Sequence, residues 1–378
     1  FVAYPLLVKN SFGFVYLAML IAAISISSFS QFYFGMTDRL LLTADQRGYI
    51  QYNAQTITLV LNTIACVILI KAGYSIHLVK LTTSLTYLAR PIFLRLYINR
   101  NYKLNRVADY EEEPIKQKWN GIAQHVSAVV LNDTDTVVLT VLSTLSAVSI
   151  YSVYNLVVSG LKKLFESATN GVEAALGEAW AKNDKERCYR LFSFAEWGLH
   201  TSVTYVFTCT ALLIVPFVAV YTKGVNDAKY AQPLFALLIV LAHTIHCYRL
   251  PYHIMVKAAG CYKETQKCYY IAAAVNLLVS IISVNKWGLI GVAIGTLVAM
   301  LYQTIWMAMF NSRNLIKGIG NKFIKQIVVD FLLFFGCYFL LSHFVLLNEV
   351  SALGWVLMAI KIAGLVAVIV FIVNIVLY

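Results

Sequence analysis

The chain has 378 residues, 60% hydrophobic and only 13% charged, with a formal net charge of +12. Its mean hydropathy is +0.72, whereas soluble domains are about 45–50% apolar and about 25% charged, so a water-soluble globule is excluded. Strict alternation over ten-residue segments is absent, which removes an outer-membrane barrel, and apolar runs of roughly 20 residues instead predict helices that cross about 30 Å of hydrocarbon. In chain order, Phe1–Asn10 precedes three predicted spans, Phe12–Phe34, Gln55–Ile70 and Tyr74–Tyr97, with a polar turn at 44–52 and a KAG hinge before the third. Pro91 should kink that third span. Asn99–Lys118, polar and carrying EEEP at 111–114, reads as a cytoplasmic linker between two lobes.

Six further spans follow, about Ile122–Leu142, Ala147–Phe165, Phe192–Val220, Pro233–Lys257, Ile271–Ser283 and Gly288–Phe310. Glu166–Arg190 reads as a cytoplasmic helix extension and an amphipathic turn at the lipid surface. The basic turn Asn311–Lys322 leads to two appended spans, Phe323–Leu347 and Ala352–Tyr378. Placing the spans in alternation puts 23 of the 30 Lys and Arg in or beside alternate turns. By the positive-inside rule those turns face the cytoplasm, so the basicity is topology and no nucleic-acid partner is implied. The seven Cys have no metal-ligand spacing and read as reduced, small apolar residues.

Three of these helices repeat three earlier ones. Ala44/Ala259, Asn62/Asn276, Gly73/Gly288 and Tyr87/Tyr302 fall at a nearly constant offset, so 233–310 reads as a second copy of 12–97 running in the same direction. The expected fold is an all-α polytopic membrane protein of two pseudo-symmetric lobes. Residues 1–98 form the second half of the N-terminal lobe, 99–118 the linker, 119–310 the C-terminal lobe and 311–378 the appended pair. Because 119–230 has no earlier counterpart, roughly 110 residues with three spans should precede Phe1, giving about 11 spans of an expected ~14.

Charges at membrane depth cost a few kcal/mol or more and usually face a wet cavity. Arg249 lies about 12 Å inside Lys257 along its helix, and a guanidinium fork grips two oxygens of a diphosphate. The plainer reading is an Arg that snorkels to the interface. His246 and Lys257 share its helix and join it as candidate substrate-binding residues, although His243 and His246 read first as packed polar groups. Lys80 and Asp135 sit at matching depth in different lobes with opposite charge, which fits an ion pair closing the external mouth. Asp133 is two residues away and faces another side of the helix; the pair Asp133 and Asp135 forms the gating or coupling candidates. Lys361 and Asp330 differ too much in depth to pair, and Glu173, Glu178 and Glu196 read as solvated at the cytoplasmic rim. No nucleophile–base constellation or phosphate loop appears, so no catalytic residue, metal or cofactor is expected; GVAIGT at 291–296 is a packing face.

Particular stretches resemble the bacterial polysaccharide and O-antigen flippases of the multidrug/oligosaccharidyl-lipid/polysaccharide exporter superfamily. LNDTDTVVLTVLSTLSAVSIYSVYNLV (131–157) is similar to that family's seventh and eighth spans, FESATNGVEAALGEAWAKNDKE (165–186) to its cytoplasmic turn and RLPYHIMVKAAGCYKETQ (249–266) to the end of its tenth span. The resemblance implies a multi-pass protein of the bacterial inner membrane. Such a protein flips a polyprenyl-pyrophosphate-linked oligosaccharide outward, with membrane lipids and a polysaccharide polymerase as further partners. A cation-coupled small-molecule exporter of the same superfamily is the alternative; it predicts an anionic or apolar cavity. An enzyme of wall assembly would need a long external loop, and the external turns are short.

Overall fold

The computed structural model describes residues 14–33, 35–45, 47–103, 118–345 and 351–377, and every regular element among them is helical. Segment 1–10 and most of the 99–118 linker lie outside the described residues. The chain divides into two compact units, Phe1–Pro114 and Ile115–Tyr378.

The first unit contains α1 (Phe14–Tyr33), α2 (Met36–Ala44), α3 (Gly48–Lys71) and α4 (Ile76–Asn101). His77 Nε2 meets the Tyr16 carbonyl at 3.0 Å, and Ser84 donates to the Ala23 carbonyl at 2.5 Å. The offset is the same for both pairs, so α1 and α4 run parallel and pack directly on each other, and α3 packs on α4. Arg95 meets Asp38 at 3.0 Å near the other end. Leu42, Ile50, Leu94 and Ile98 close the small core there.

The second unit contains α5 (Lys118–Leu142), α6 (Leu145–Ala168), α7 (Asn170–Ala181), α8 (Lys185–Tyr221), α9 (Pro233–Tyr248), α10 (Leu250–Ala258), α11 (Tyr262–Trp287), α12 (Leu289–Asn314), α13 (Ile319–Leu341) and α14 (Ala352–Leu377). Thr304 donates to the Ile245 carbonyl at 3.1 Å and Asn311 to that of Tyr252 at 3.1 Å. Again the offset is constant, so α9–α10 and α12 run parallel. Each copy of the repeated module therefore has parallel first and third helices, and its first helix is interrupted at the corresponding place: between Tyr33 and Met36, and at Arg249. Gly73 (φ 77°) and Gly288 (φ 53°) occupy the two hinges, a backbone region that side chains with a Cβ resist.

Tyr154, Phe207, Phe235, Tyr248 and Phe334 anchor the largest core, and Phe192, Tyr252, Met255 and Met307 a second one. Where α11 crosses α12, a Cβ at Gly291 would overlap the Ser283 carbonyl, and one at Gly295 would come within 3.0 Å of the Ser280 nitrogen. The GVAIGT face is a close-packing surface. The appended helices pack on α8: Trp355 donates to the Leu213 carbonyl at 3.2 Å and Trp197 to Asn374 at 3.0 Å, an antiparallel register. Thr144 and Asp184 cap α6 and α8. Beside that second cap, the Lys182 ammonium holds the exposed Glu178 carboxyl below the usual range, with Arg187 adding to the effect.

Nine helices among the described residues are long and apolar enough to cross a membrane. The sequence count of about 11 also included α4 and α6. They match the others in length, but α4 carries Lys80, Arg90, Arg95 and Arg100, and α6 ends on Lys162, Lys163 and Glu166. Several boundaries differ from expectation because amphipathic stretches at the membrane rim stay helical. The cationic turn at 258–270 is helical from Tyr262 on, α11 continues through the expected VNKWG hinge to Trp287, and α3 begins at Gly48 inside the expected 44–52 turn. Likewise α4 remains one helix through Pro91, whereas the apolar run from Pro233 is broken at Arg249.

Candidate functional site

Pro251 has no N–H to donate and its ring crowds the preceding turn. The helix from Pro233 therefore ends at Tyr248, and α10 resumes at Leu250. Arg249 joins them with helical angles (φ −74°, ψ −21°), its N–H shared between the Ile245 and His246 carbonyls at 3.2 Å. The side chain faces a cavity of about 280 Å³, with polar walls supplied by Glu166, Glu173, His246, His253, Lys257 and Gln303.

Arg249 is 5% exposed. Its Nη2 donates to His246 Nδ1 at 3.0 Å, while Nε and Nη1 are buried with no hydrogen-bond partner. Because Arg can only donate, His246 Nδ1 accepts; Nε2 then carries the hydrogen and meets Glu166 Oε1 at 3.0 Å. Lys257 lies 3.3 Å from Glu173, and His253 Nδ1 lies 2.6 Å from the Tyr269 hydroxyl. Each carboxylate in the wall thus has a donor already. The unsatisfied groups are two guanidinium nitrogens and both amide atoms of the fully buried Gln303. A buried guanidinium with two unengaged nitrogens can hold an anion with several acceptor oxygens.

The structure places Arg249, His246 and Lys257, three of the four substrate-binding candidates, on the wall of one cavity. Glu166, His253 and Gln303 were not anticipated as partners. Gln303 had one signal, a polar amide within an apolar helix; Glu166 is placed by the α6 backbone and had none. His243 is satisfied within its own helix, donating to the Ile239 carbonyl at 2.9 Å. Lys80 is exposed on the first unit. There the buried cation is Arg90, 7% exposed with Nε and Nη2 unpartnered, although the sequence counted it only among the topology-setting charges.

Asp133 is exposed and Asp135 buried, on different sides of α5. Neutral donors hold the Asp135 carboxylate: Thr296 at 2.6 Å, Tyr151 at 3.0 Å and Asn276 at 3.3 Å. Asn276 also donates to the Leu131 carbonyl at 3.0 Å, which ties α5 to α11.

Glu196 departs from expectation. It is buried, not solvated at the rim, and accepts from the Tyr252 hydroxyl. Asp330, which the sequence left without a role, meets His200 Nδ1 at 2.6 Å and accepts from Thr204 at 3.1 Å and Gln326 at 3.2 Å. Glu173 is half-buried against Lys257, and Glu178 is exposed as expected. No group of three or more His, Cys, Asp or Glu among the described residues is placed to hold a metal ion.

These helices and their buried polar clusters make the chain an all-α, multi-pass membrane protein. No protein-family model matches the sequence, and no curated protein matches it. Among solved structures, the fold is similar to that of the lipid II flippase MurJ in its inward closed conformation. The TM-score is 0.68 at 15% sequence identity, over 96% of this chain and 76% of that one.

Proposed function

We propose that this chain is a flippase for a polyprenyl-pyrophosphate-linked oligosaccharide, moving it from the cytoplasmic to the outer leaflet of a bacterial inner membrane for surface polysaccharide assembly. The observation that carries this reading is Arg249, buried with two free donor nitrogens facing the cavity. A diphosphate offers closely spaced anionic oxygens to a guanidinium fork, and an oligosaccharide offers hydroxyls to Gln303 and His253. The fold shared with a protein named as a lipid II flippase supports the same reading. In it, 1–98 and 119–310 act as the two lobes, 99–118 as the cytoplasmic linker and 311–378 as the appended pair. Lys257 and His246 line the headgroup path, and Lys80 is the headgroup-binding residue of the first lobe. Asp135 is the coupling group, with Asp133 at the exposed rim. Membrane lipids surround the path, and a polysaccharide polymerase takes the product.

The test is reconstitution into vesicles with a fluorescent polyprenyl-pyrophosphate oligosaccharide in one leaflet and an impermeant quencher outside. The chain should accelerate exchange of that lipid and leave the dephosphorylated polyprenol glycoside at the protein-free rate. Equal exchange of both lipids, or of neither, refutes the proposal.

A further inference from the structure

Beside the cavity, α6 carries a cation that bonds to a neutral acceptor. Lys162 shares one face of that helix with Glu166 and Thr169, at positions i, i+4 and i+7, and those two residues line the cavity. The Lys162 ammonium donates to Asn132 Oδ1 of α5 at 2.9 Å, and Asn132 lines the same cavity. Lys162 is half-buried, whereas Lys163 is exposed on another side of the helix, where an ordinary rim lysine belongs. Arg249, Glu166 and His246 are all close enough for charge interactions with Lys162.

Charge does not balance within this group of side chains. Lys257 is paired with Glu173 at 3.3 Å, and His246 is neutral because its Nδ1 accepts from Arg249. Among the described cavity residues, Lys162 and Arg249 are then left with one carboxylate, Glu166, whose Oε1 already faces His246. The amide oxygen that Lys162 engages is uncharged, so that bond holds the ammonium in place without neutralising it. An ammonium meets a phosphate as a point charge with three donors, whereas the guanidinium fork takes two oxygens at once.

We infer that Lys162 is a second cationic contact to the headgroup and sets a preference for a diphosphate over a monophosphate. This rests on the flippase reading above. Arg249 grips the oxygens of one phosphate in its fork, and the second phosphate is the group left for the Lys162 ammonium. The two cations stand on different elements, α6 and the joint of α9 with α10, and Asn132 keeps the ammonium on the cavity side of α6. A lipid with one phosphate satisfies the fork and leaves Lys162 with its neutral partner.

The experiment is titration of the full chain in lipid nanodiscs with polyprenyl diphosphate and with polyprenyl monophosphate of equal chain length. The parent should bind the diphosphate about tenfold more tightly or better. Lys162→Gln should bring the diphosphate down to the affinity of the monophosphate and leave the monophosphate unchanged, while Lys162→Arg should keep the preference. Arg249→Leu should weaken both lipids, which separates the two roles. Asn132→Asp puts a carboxylate where the amide oxygen now sits 2.9 Å from the ammonium. It should neutralise Lys162 and narrow the preference, which keeps the test decisive if Lys162→Gln does not fold. Equal binding of both lipids by the parent overturns this inference alone, as does a folded Lys162→Gln or Asn132→Asp chain that keeps the preference in full. A parent that binds neither lipid overturns the flippase reading with it.

Discussion

Replacing Arg249 by Leu should separate a ligand-binding residue from a structural one. Two of its three guanidinium nitrogens are buried without protein partners. Each unsatisfied buried donor costs about 1–3 kcal/mol. Losing them offsets the loss of one bond to His246, whose Nε2–Glu166 contact at 3.0 Å remains. The empty Leu variant should therefore melt at or above the parent temperature. A bidentate contact to diphosphate contributes on the order of 3 kcal/mol, so its loss should weaken headgroup binding roughly 100-fold. Arg249→Lys keeps the charge without the fork and should fall between. The assays are thermal unfolding in detergent, titration with a polyprenyl diphosphate, and restoration of surface polysaccharide in a strain lacking its flippase, with membrane abundance measured alongside. A Leu variant that melts lower, binds diphosphate normally and restores export would show that the guanidinium only braces the helix break.

Three further predictions follow from local geometry. Gly291→Ala places a methyl on the Ser283 carbonyl and should destabilise the α11–α12 crossing by about 1–3 kcal/mol, read as a lower unfolding temperature. Glu178 has its carboxyl lowered chiefly by Lys182, so the stabilisation it contributes is complete above the ordinary carboxylate range and fades as pH falls through the lowered value. Glu178→Gln should abolish that acid-side loss of amide protection at 181–187 in hydrogen exchange. A single cysteine at position 183, in an otherwise cysteine-free chain, should resist an impermeant thiol reagent in intact cells, and ready labelling would invert the assigned topology.

The helical, membrane-crossing character of the chain and its hinges were legible because hydropathy and glycine hinges are local properties, but the count of about 11 spans exceeds the nine helices apolar enough to cross. Gly73 and Gly288 announced their turns, whereas the interruption at Arg249 was not expected: 233–257 was read as one span, and Pro251 breaks it. Arg249 was singled out by charge at depth, and His246 and Lys257 as its neighbours on one helix. Gln303 and Glu166 were missed because their role depends on which neighbours fail to satisfy a polar atom, a fact of packing. Glu196 was misread for a related reason: it was placed at the cytoplasmic rim with Glu173 and Glu178, but Tyr252 on α10 covers it.

The joint at Arg249 has a mechanical consequence. Where Pro251 withholds its N–H, the ladder of α9–α10 loses a rung, and bending resistance is lowest there. The side chain at that joint is the one facing the cavity with unengaged nitrogens. A pull on the guanidinium therefore acts at the fulcrum of the rod, with α9 and α10 as its two arms. The first copy of the module is interrupted at the corresponding point, between Tyr33 and Met36.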